Sequence, residues 1–150
     1  MRILIAAGIA ALALVSCTTT GGATPGAKNV SDGNDCAVMT AILKQHYKID
    51  ANTRLHILRG DPSQPDDYRI TCDFKAAGVP IEDYDYAFKS TSRENFQGWV
   101  SFSKPSYSGT TATVETGYLM GPLAGAGQKC TVQSGVAGST VTECKMSWIS

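Results

Sequence analysis

The chain of 150 residues lacks most of the patterns that identify an enzyme or a nucleic-acid-binding protein. It has only two histidines, His46 and His56, and no G-x-S-x-G segment of the kind that presents a catalytic serine. Its 13 basic residues stand against 13 acidic ones and form no block or stripe, so we expect no nucleic-acid partner. No C-x-x-C spacing suggests a zinc site. These absences predict a non-catalytic protein with no cofactor.

Carboxylates are grouped at two places, residues 66–67 and residues 82–85. Calcium takes about six to eight oxygen ligands, and the chain has no D-x-[DN]-x-[DN]-G loop to supply them. A pair of carboxylates is also what glycoside hydrolysis requires. Solvated loop and strand faces are the commoner use of such groups, so we expect no metal site.

The amino-terminal segment has the layout of an export signal. Arg2 precedes an apolar run over residues 3–15, which is shorter than the roughly 20 residues that a membrane-spanning helix needs. The run ends in Leu14-Val15-Ser16-Cys17, which resembles the lipobox of bacterial lipoproteins at all four positions. The resemblance implies cleavage before Cys17, diacylglycerol on its sulfur and a further palmitate-type chain on the new amino terminus.

This signal predicts where the protein lies. Three acyl chains form a permanent tether, since each buried CH₂ contributes about 0.8 kcal/mol. The residue after Cys17 is Thr18 rather than the Asp of inner-membrane lipoproteins, so we expect a lipid-anchored protein of the cell envelope, at the outer membrane and facing the periplasm.

Three regions follow from composition. Residues 1–16 are the predicted lipoprotein signal peptide, residues 17–33 the lipidated cysteine with a flexible spacer, and residues 34–150 a single globular domain. The spacer is rich in Gly and Thr and cannot build a core. A flexible segment of this length spans roughly 20–25 Å, which lifts the domain clear of the lipid headgroups.

Four cysteines remain in the globular domain, namely Cys36, Cys72, Cys130 and Cys144. An oxidising compartment and an even count predict two disulfides, for which three pairings exist. We favour Cys130–Cys144 because both residues flank a predicted hairpin, which leaves Cys36–Cys72.

A helix is predicted first, with Asn34 as its N-cap and an end near Tyr47. Cys36, Met39 and Leu43 share one face with Tyr47 at helical spacing. Residues 66–76 are ambiguous, because their alternation suits a strand while the Pro-Asp-Asp start suits a helix.

Strands are predicted from alternating patterns over residues 53–59, 83–88, 98–104, 110–119, 128–134 and 139–149. Residues 105–109 are a predicted turn, and residues 135–138 join the last two strands as a hairpin. Within the last strand, Met146 and Trp148 are predicted to share the face of Cys144. A helix followed by strands predicts an α+β fold, with the helix packed on an antiparallel, disulfide-braced meander.

The carboxyl-terminal half resembles a group of uncharacterised exported bacterial proteins over residues 68–150. The resemblance lies in V-S-F-S-K-P-S-Y (100–107), T-V-E (113–115), G-P-L (121–123) and the terminal W-I-S. That group carries a CGxLCGxG loop and a W[IV]S terminus. Here Met120 and Ala124 replace the two loop cysteines. The likeness of Asp73-Phe74 to a DFxxxN segment implies a helix over residues 66–76, but no activity is carried over.

Two recognition features remain. A Gly-rich segment is a candidate binding loop, although a plain connector between strands is the better interpretation; its candidate residues are Gly121, Pro122, Leu123, Gly125 and Gly127. It lacks the Gly-Lys-Ser/Thr ending of a phosphate-binding loop. The aromatic residues of the β region would form a recognition surface if exposed; they are Tyr84, Tyr86, Trp99, Tyr107 and Tyr118.

The resulting hypothesis is a non-catalytic envelope lipoprotein that binds an envelope protein or peptidoglycan. An inhibitor or immunity-type protein acting against a wall hydrolase is the alternative, and a small hydrolase is a third. A catalytic triad requires a base beside a nucleophile, which the positions of the two histidines do not predict.

Overall fold

The computed structural model describes residues 31–53, 55–60, 67–87, 96–121 and 123–150. The predicted signal peptide, Cys17 and almost all of the predicted spacer lie outside the described residues. Within the described part, the chain forms one helix and seven strands. They are α1 (Gly33–Gln45), β1 (Leu55–Ile57), β2 (Glu82–Asp83), β3 (Gly98–Phe102), β4 (Ser106–Ser108), β5 (Thr111–Gly121), β6 (Ala124–Gly135) and β7 (Gly138–Ile149).

Helix α1 begins earlier than predicted because its N-cap is Asp32 and not Asn34. The Asp32 carboxylate accepts hydrogen bonds from the backbone N–H groups of Asn34 and Asp35, at 2.8 and 2.9 Å. The Asp35 carboxylate accepts in return from the Asp32 backbone N–H. This reciprocal capping box satisfies donors that the first helical turn leaves free, and the acid three residues after Asp32 is what makes Asp32 the cap.

The sheet is mixed, and not wholly antiparallel as predicted. Its strand order is β2-β1-β3-β5-β6-β7, with β4 also paired to β5. β1 runs parallel to both β2 and β3, while β3, β4, β5, β6 and β7 pair in antiparallel fashion. Parallel neighbours need a crossover of about a dozen residues or more, which the long connection between β1 and β2 provides.

Of the predicted turn over residues 105–109, only Gly109 takes part in a turn. Ser106–Ser108 is strand β4, which pairs with the start of β5, whereas β3 pairs further along the same side of β5. Pro105 separates the two strands because proline has no N–H to donate to a ladder. The chain reverses instead at Gly109, which has φ +59°.

Residues 66–76 are neither a strand nor the helix that the family resemblance implies. The described part runs extended with one bridge at Arg69 and then turns over residues 74–78. The Arg59 guanidinium donates to the carbonyls of Ile70 and Cys72 at 3.0 and 2.8 Å. These bonds satisfy two backbone carbonyls that a strand or a helix would otherwise satisfy. The segment can therefore stay without regular secondary structure.

The predicted strand over residues 83–88 is also shorter in the structure. β2 ends at Asp83, and the Asp85 carboxylate accepts from the Ala87 backbone N–H in a local turn. Such side-chain bonds compete with a ladder. Phe88 lies outside the described residues.

The core lies between the apolar face of α1 and one face of the sheet. Val38, Met39, Ile42 and Leu43 of the helix are fully buried. One face of β5 contributes to this core, since Ala112, Val114 and Thr116 are each at most 3 % exposed and Tyr118 packs against the core. Phe74 is the largest fully buried side chain.

The β6–β7 hairpin is confirmed, but Trp148 is on the opposite face from the one predicted. A register shift between Gly127 and Gln128 makes Met146 the partner of Gln128 and Trp148 the partner of Gly127. This bulge inserts Ser147 and breaks the alternation that strand patterns assume. Trp148 therefore lies over Gly127 on the face away from the helix.

Both favoured disulfides are present. Cys36–Cys72 joins the first turn of α1 to the extended segment before Phe74, and Cys130–Cys144 joins β6 to β7. The two cross-links therefore act on different parts of the fold.

Removing the two disulfides singly should have unequal effects. They close loops of 36 and 14 residues, for which the chain-entropy model gives about 4 and about 3 kcal/mol. We expect Cys36→Ala/Cys72→Ala to lower the free energy of unfolding more than Cys130→Ala/Cys144→Ala, as measured by urea denaturation. The reverse order would show that loop length does not decide their contributions.

Candidate recognition site

The candidate binding loop is the end of the β5–β6 hairpin. Gly121 closes β5, Gly125 and Gly127 lie within β6, and Leu123 at the turn is 90 % exposed. Pro122 lies outside the described residues. The glycines therefore belong to paired strands and do not form an open loop.

The glycines of β6 are explained by packing. A Cβ at Gly127 would lie 1.8 Å from the Trp148 Nε1 atom, and one at Gly125 would lie 2.8 Å from Leu119 Cδ1. Glycine at 127 lets the indole ring lie directly on the strand backbone. This packing gives Gly127 a structural role.

A cleft of about 350 Å³ opens where β1 and β2 end. The two strands are parallel, with Ile57 beside Asp83, so their carboxyl ends meet at one edge of the sheet. The chain continues from these ends into Arg59 and Tyr84, and both side chains line the cleft together with Arg69 and Tyr86. Sequence patterns could not find this site because it depends on the parallel pairing.

Arg59 is the main organising side chain of the cleft. Its Nε donates to Asp83 Oδ1 at 2.6 Å, its Nη1 donates to two carbonyls of the 68–75 segment, and its guanidinium lies 5.5 Å from the centre of the Phe74 ring. The Asp83 carboxylate compensates the positive charge of Arg59, and the two backbone carbonyls accept hydrogen bonds from its guanidinium N–H groups. Arg59 therefore has a structural role in holding the cleft walls together.

Gly60 allows one wall of the cleft to form. It has φ +98°, and a Cβ at this position would lie 2.6 Å from the Tyr68 carbonyl oxygen. Only glycine combines this backbone conformation with so close an approach. The Tyr86 hydroxyl donates to the Gly60 carbonyl, which places the Tyr86 ring over the same point.

Four aromatic rings form a continuous group beside the cleft, which we call the aromatic cluster: Tyr84, Tyr86, Phe96 and Trp99. The Tyr84 ring centre is 5.5 Å from that of Tyr86 and 5.0 Å from that of Trp99, both edge to face. Phe96 adds a contact at 6.0 Å to Trp99. Tyr86 is 43 % exposed. The structure thus brings three of the five predicted aromatic residues together.

Tyr107 and Tyr118 lie elsewhere. The Tyr107 hydroxyl donates to Asp35 Oδ1 at 2.7 Å, and the Tyr68 hydroxyl donates to Asp35 Oδ2 at 2.6 Å. Burial and the neighbouring Asp35 carboxylate raise the pKa of both phenols. Asp35 is 2 % exposed, and in the sequence it resembles an ordinary acid of a first helical turn.

Tyr118 packs edge to face on Tyr47, whose hydroxyl lies 2.9 Å from the Thr116 hydroxyl. Burial raises the pKa of Tyr47 to about 12. This pair packs against the core and is partly buried.

The polar candidates are dispersed. His46 is the C-cap of α1, and His56 lies in β1 between Glu82 and Trp99, with its Nδ1 atom buried and unbonded. Glu82 forms an ion pair with Lys75 at 2.7 Å. Among the residues that the structure describes, no group of three or more His, Cys, Asp or Glu side chains could hold a metal ion.

The raised pKa of Tyr47 makes the free energy of unfolding fall at alkaline pH. Its pKa in the folded protein is raised above the unfolded value near 10, so its contribution is present below about pH 10 and is lost as the pH rises towards 12. Tyr47→Phe should remove about 2 kcal/mol of this loss, measured as the difference between urea unfolding at pH 8 and at pH 11.5.

Thr116→Val is the matched control, since it removes the same hydrogen bond and keeps the phenol. It should retain the alkaline loss that Tyr47→Phe reduces. Equal losses for wild type and Tyr47→Phe would contradict the assignment.

Within the described ranges, no helix is long and apolar enough to cross a membrane. Comparisons with protein-family models, curated proteins and solved structures found no match for this chain. Arguments about its function therefore rest on its own residues.

Proposed function

We propose that this protein is a non-catalytic lipoprotein of the bacterial cell envelope that binds an envelope protein or peptidoglycan through the aromatic cluster. Supporting the location are the Leu14–Cys17 lipobox and the two disulfides, which suit an oxidising compartment. The spacer that follows Cys17 gives the domain reach from the membrane.

The aromatic cluster is the observation that carries the proposal. Tyr and Trp supply large, rigid contact area with a polar edge, at little cost in side-chain entropy. Here Tyr86 exposes 43 % of its surface, while edge-to-face contacts with Tyr84 support it from behind. A supported aromatic ring at the mouth of a cleft is a suitable anchor point for a partner.

The cleft beside the cluster is of a size that ligand sites commonly have. Its volume of about 350 Å³ lies near the lower end of the range of about 300–1,000 Å³. Arg59 is already bonded to Asp83 and to backbone carbonyls. The aromatic faces, and not the Arg59 charge, therefore carry the proposed recognition.

We assign the domain to the α+β class, with α1 packed on the meander of β5, β6 and β7. Contacts of the helix with β6 and β7 support this assignment. The helix and meander then form the scaffold. The cluster lies towards the other end of the sheet, on β3 and on the chain that follows β2 and precedes β3.

The anchor is tested by the mass of the protein extracted from membranes. We expect residues 17–150 plus three acyl chains, with a gain of four hydrogens on reduction of the two disulfides. Cys17→Ala should abolish the acyl mass, because the lipid would be attached to that sulfur. An unlipidated wild-type chain would contradict the proposed location.

Partner binding is tested by placing a photo-crosslinking amino acid at Tyr86 in the full chain in cells. Val136 is the control position, since it is fully exposed in the turn between β6 and β7, away from the cluster. We expect a reproducible adduct from position 86 and none from position 136, since only the former side chain borders the cleft.

Digestion of the adduct with a muramidase separates the partner classes. Loss of the adduct on digestion identifies peptidoglycan, and a resistant adduct identifies a protein, which would favour the inhibitor alternative if it is a wall hydrolase. Absence of any adduct at position 86, or equal adducts at both positions, would contradict recognition by the cluster.

A further inference from the structure

Strand β7 is one edge of the described sheet. It contains 12 residues and pairs within that sheet only with β6. A long strand edge offers unpaired backbone groups to another chain, and proteins commonly cover or interrupt such edges. The way in which this edge is covered indicates what it can bind.

The first part of the β7 edge is covered by the helix. Gln45 of α1 donates through Nε2 to the Ser139 carbonyl at 3.0 Å and accepts through Oε1 from the Val141 N–H at 2.9 Å. Its amide thus takes the place of a neighbouring strand. Among the described residues, no comparable side chain is bonded to the edge between Glu143 and Met146.

The exposed part of the edge points its backbone groups outward at Cys144. The Cα atoms of Cys130 and Cys144 are 4.0 Å apart, the short spacing of a non-hydrogen-bonded antiparallel pair. In such a pair the N–H and C=O groups point away from the partner strand. Cys144 therefore directs its donor and acceptor away from β6, towards the open edge.

The charges on either side of Cys144 are self-complementary. The Lys145 Nζ and Glu143 Oε2 atoms lie 3.1 Å apart, and half or more of each side chain is exposed. If a second β7 strand pairs in antiparallel orientation about a twofold axis at Cys144, Glu143 of each copy lies opposite Lys145 of the other. A twofold axis at Met146 would instead place Lys145 opposite Ser147, without charge pairing.

We propose that two copies of this chain associate through antiparallel pairing of their β7 edges about Cys144. The register makes Cys144 a hydrogen-bonded pair with itself and forms two symmetric Glu143–Lys145 pairs, as a closed isologous interface requires. Met146, which is 60 % exposed in the single chain, lies opposite Thr142 of the second copy.

The two bulges of β7 set the length of the interface. They insert Thr142 and Ser147, so the regular part of the edge between them is the four residues 143–146, a short strand length. So short an interface gives a weak dimer in solution. Tethering both copies to one membrane surface would raise their effective concentration and favour the pairing.

Charge reversal tests the register through sedimentation equilibrium of the purified mature chain. Glu143→Lys alone or Lys145→Glu alone places like charges opposite each other at both pairs, so each should weaken association about tenfold or more. A mixture of the two single variants should associate as strongly as wild type, because each supplies the charge that the other lacks. The double variant Glu143→Lys/Lys145→Glu should also self-associate.

Glu115→Lys is the matched control, because Glu115 pairs with Lys129 within the sheet, away from the β7 edge. It should leave association unchanged. Carbodiimide coupling of a mixture of ¹⁴N- and ¹⁵N-labelled wild type should also yield peptides that join Glu143 to Lys145 across isotopes.

A wild-type chain that stays monomeric at millimolar concentration, or single variants that associate as well as wild type, would overturn the proposal. Coupled peptides of a single isotope alone would do the same, since the Glu143–Lys145 pair within one strand produces these. None of these outcomes depends on the aromatic cluster, so failure here is separate from failure of the proposed recognition site.

Discussion

The fold depends on one buried carboxylate. Asp35 is 2 % exposed, and a polar side chain so placed is costly unless it is hydrogen-bonded. Three parts of the chain supply them, namely the Asp32 N–H, the Tyr68 hydroxyl and the Tyr107 hydroxyl. The start of α1, the segment before Phe74 and strand β4 must therefore meet at one point. The Cys36–Cys72 disulfide, which begins at the next residue, holds two of these parts together covalently.

A second charged side chain, Arg59, organises the same segment before Phe74. Arg59 binds the carbonyls of Ile70 and Cys72 and pairs with Asp83, so one guanidinium joins β1, β2 and a stretch without regular secondary structure. Fixing the backbone of such a stretch costs about 1–2 kcal/mol per residue in entropy, which the surrounding bonds must offset. Its rigid course forms the wall of the cleft beside the aromatic cluster.

The two proposed interaction surfaces lie towards opposite ends of the sheet. The aromatic cluster lies on β3 and on the chain that follows β2 at one end, and the self-complementary edge is β7 at the other. Pairing of two copies through β7 would extend the sheet and leave both aromatic clusters accessible. A tethered dimer of this kind would present two recognition sites to a partner, which increases binding when both can be engaged at once.

Local patterns in the sequence determined the helix, the long strands of the carboxyl-terminal half and the β6–β7 hairpin, because these depend on side-chain periodicity and turn residues. The disulfide pairing followed from the hairpin. The parallel pairing of β1 and the course of residues 68–75 were decided only in the tertiary structure, since they rest on contacts between residues distant in sequence. The same reason explains why the two bulges of β7 and the placement of Trp148 on Gly127 could not be predicted: strand alternation carries no sign of an inserted residue.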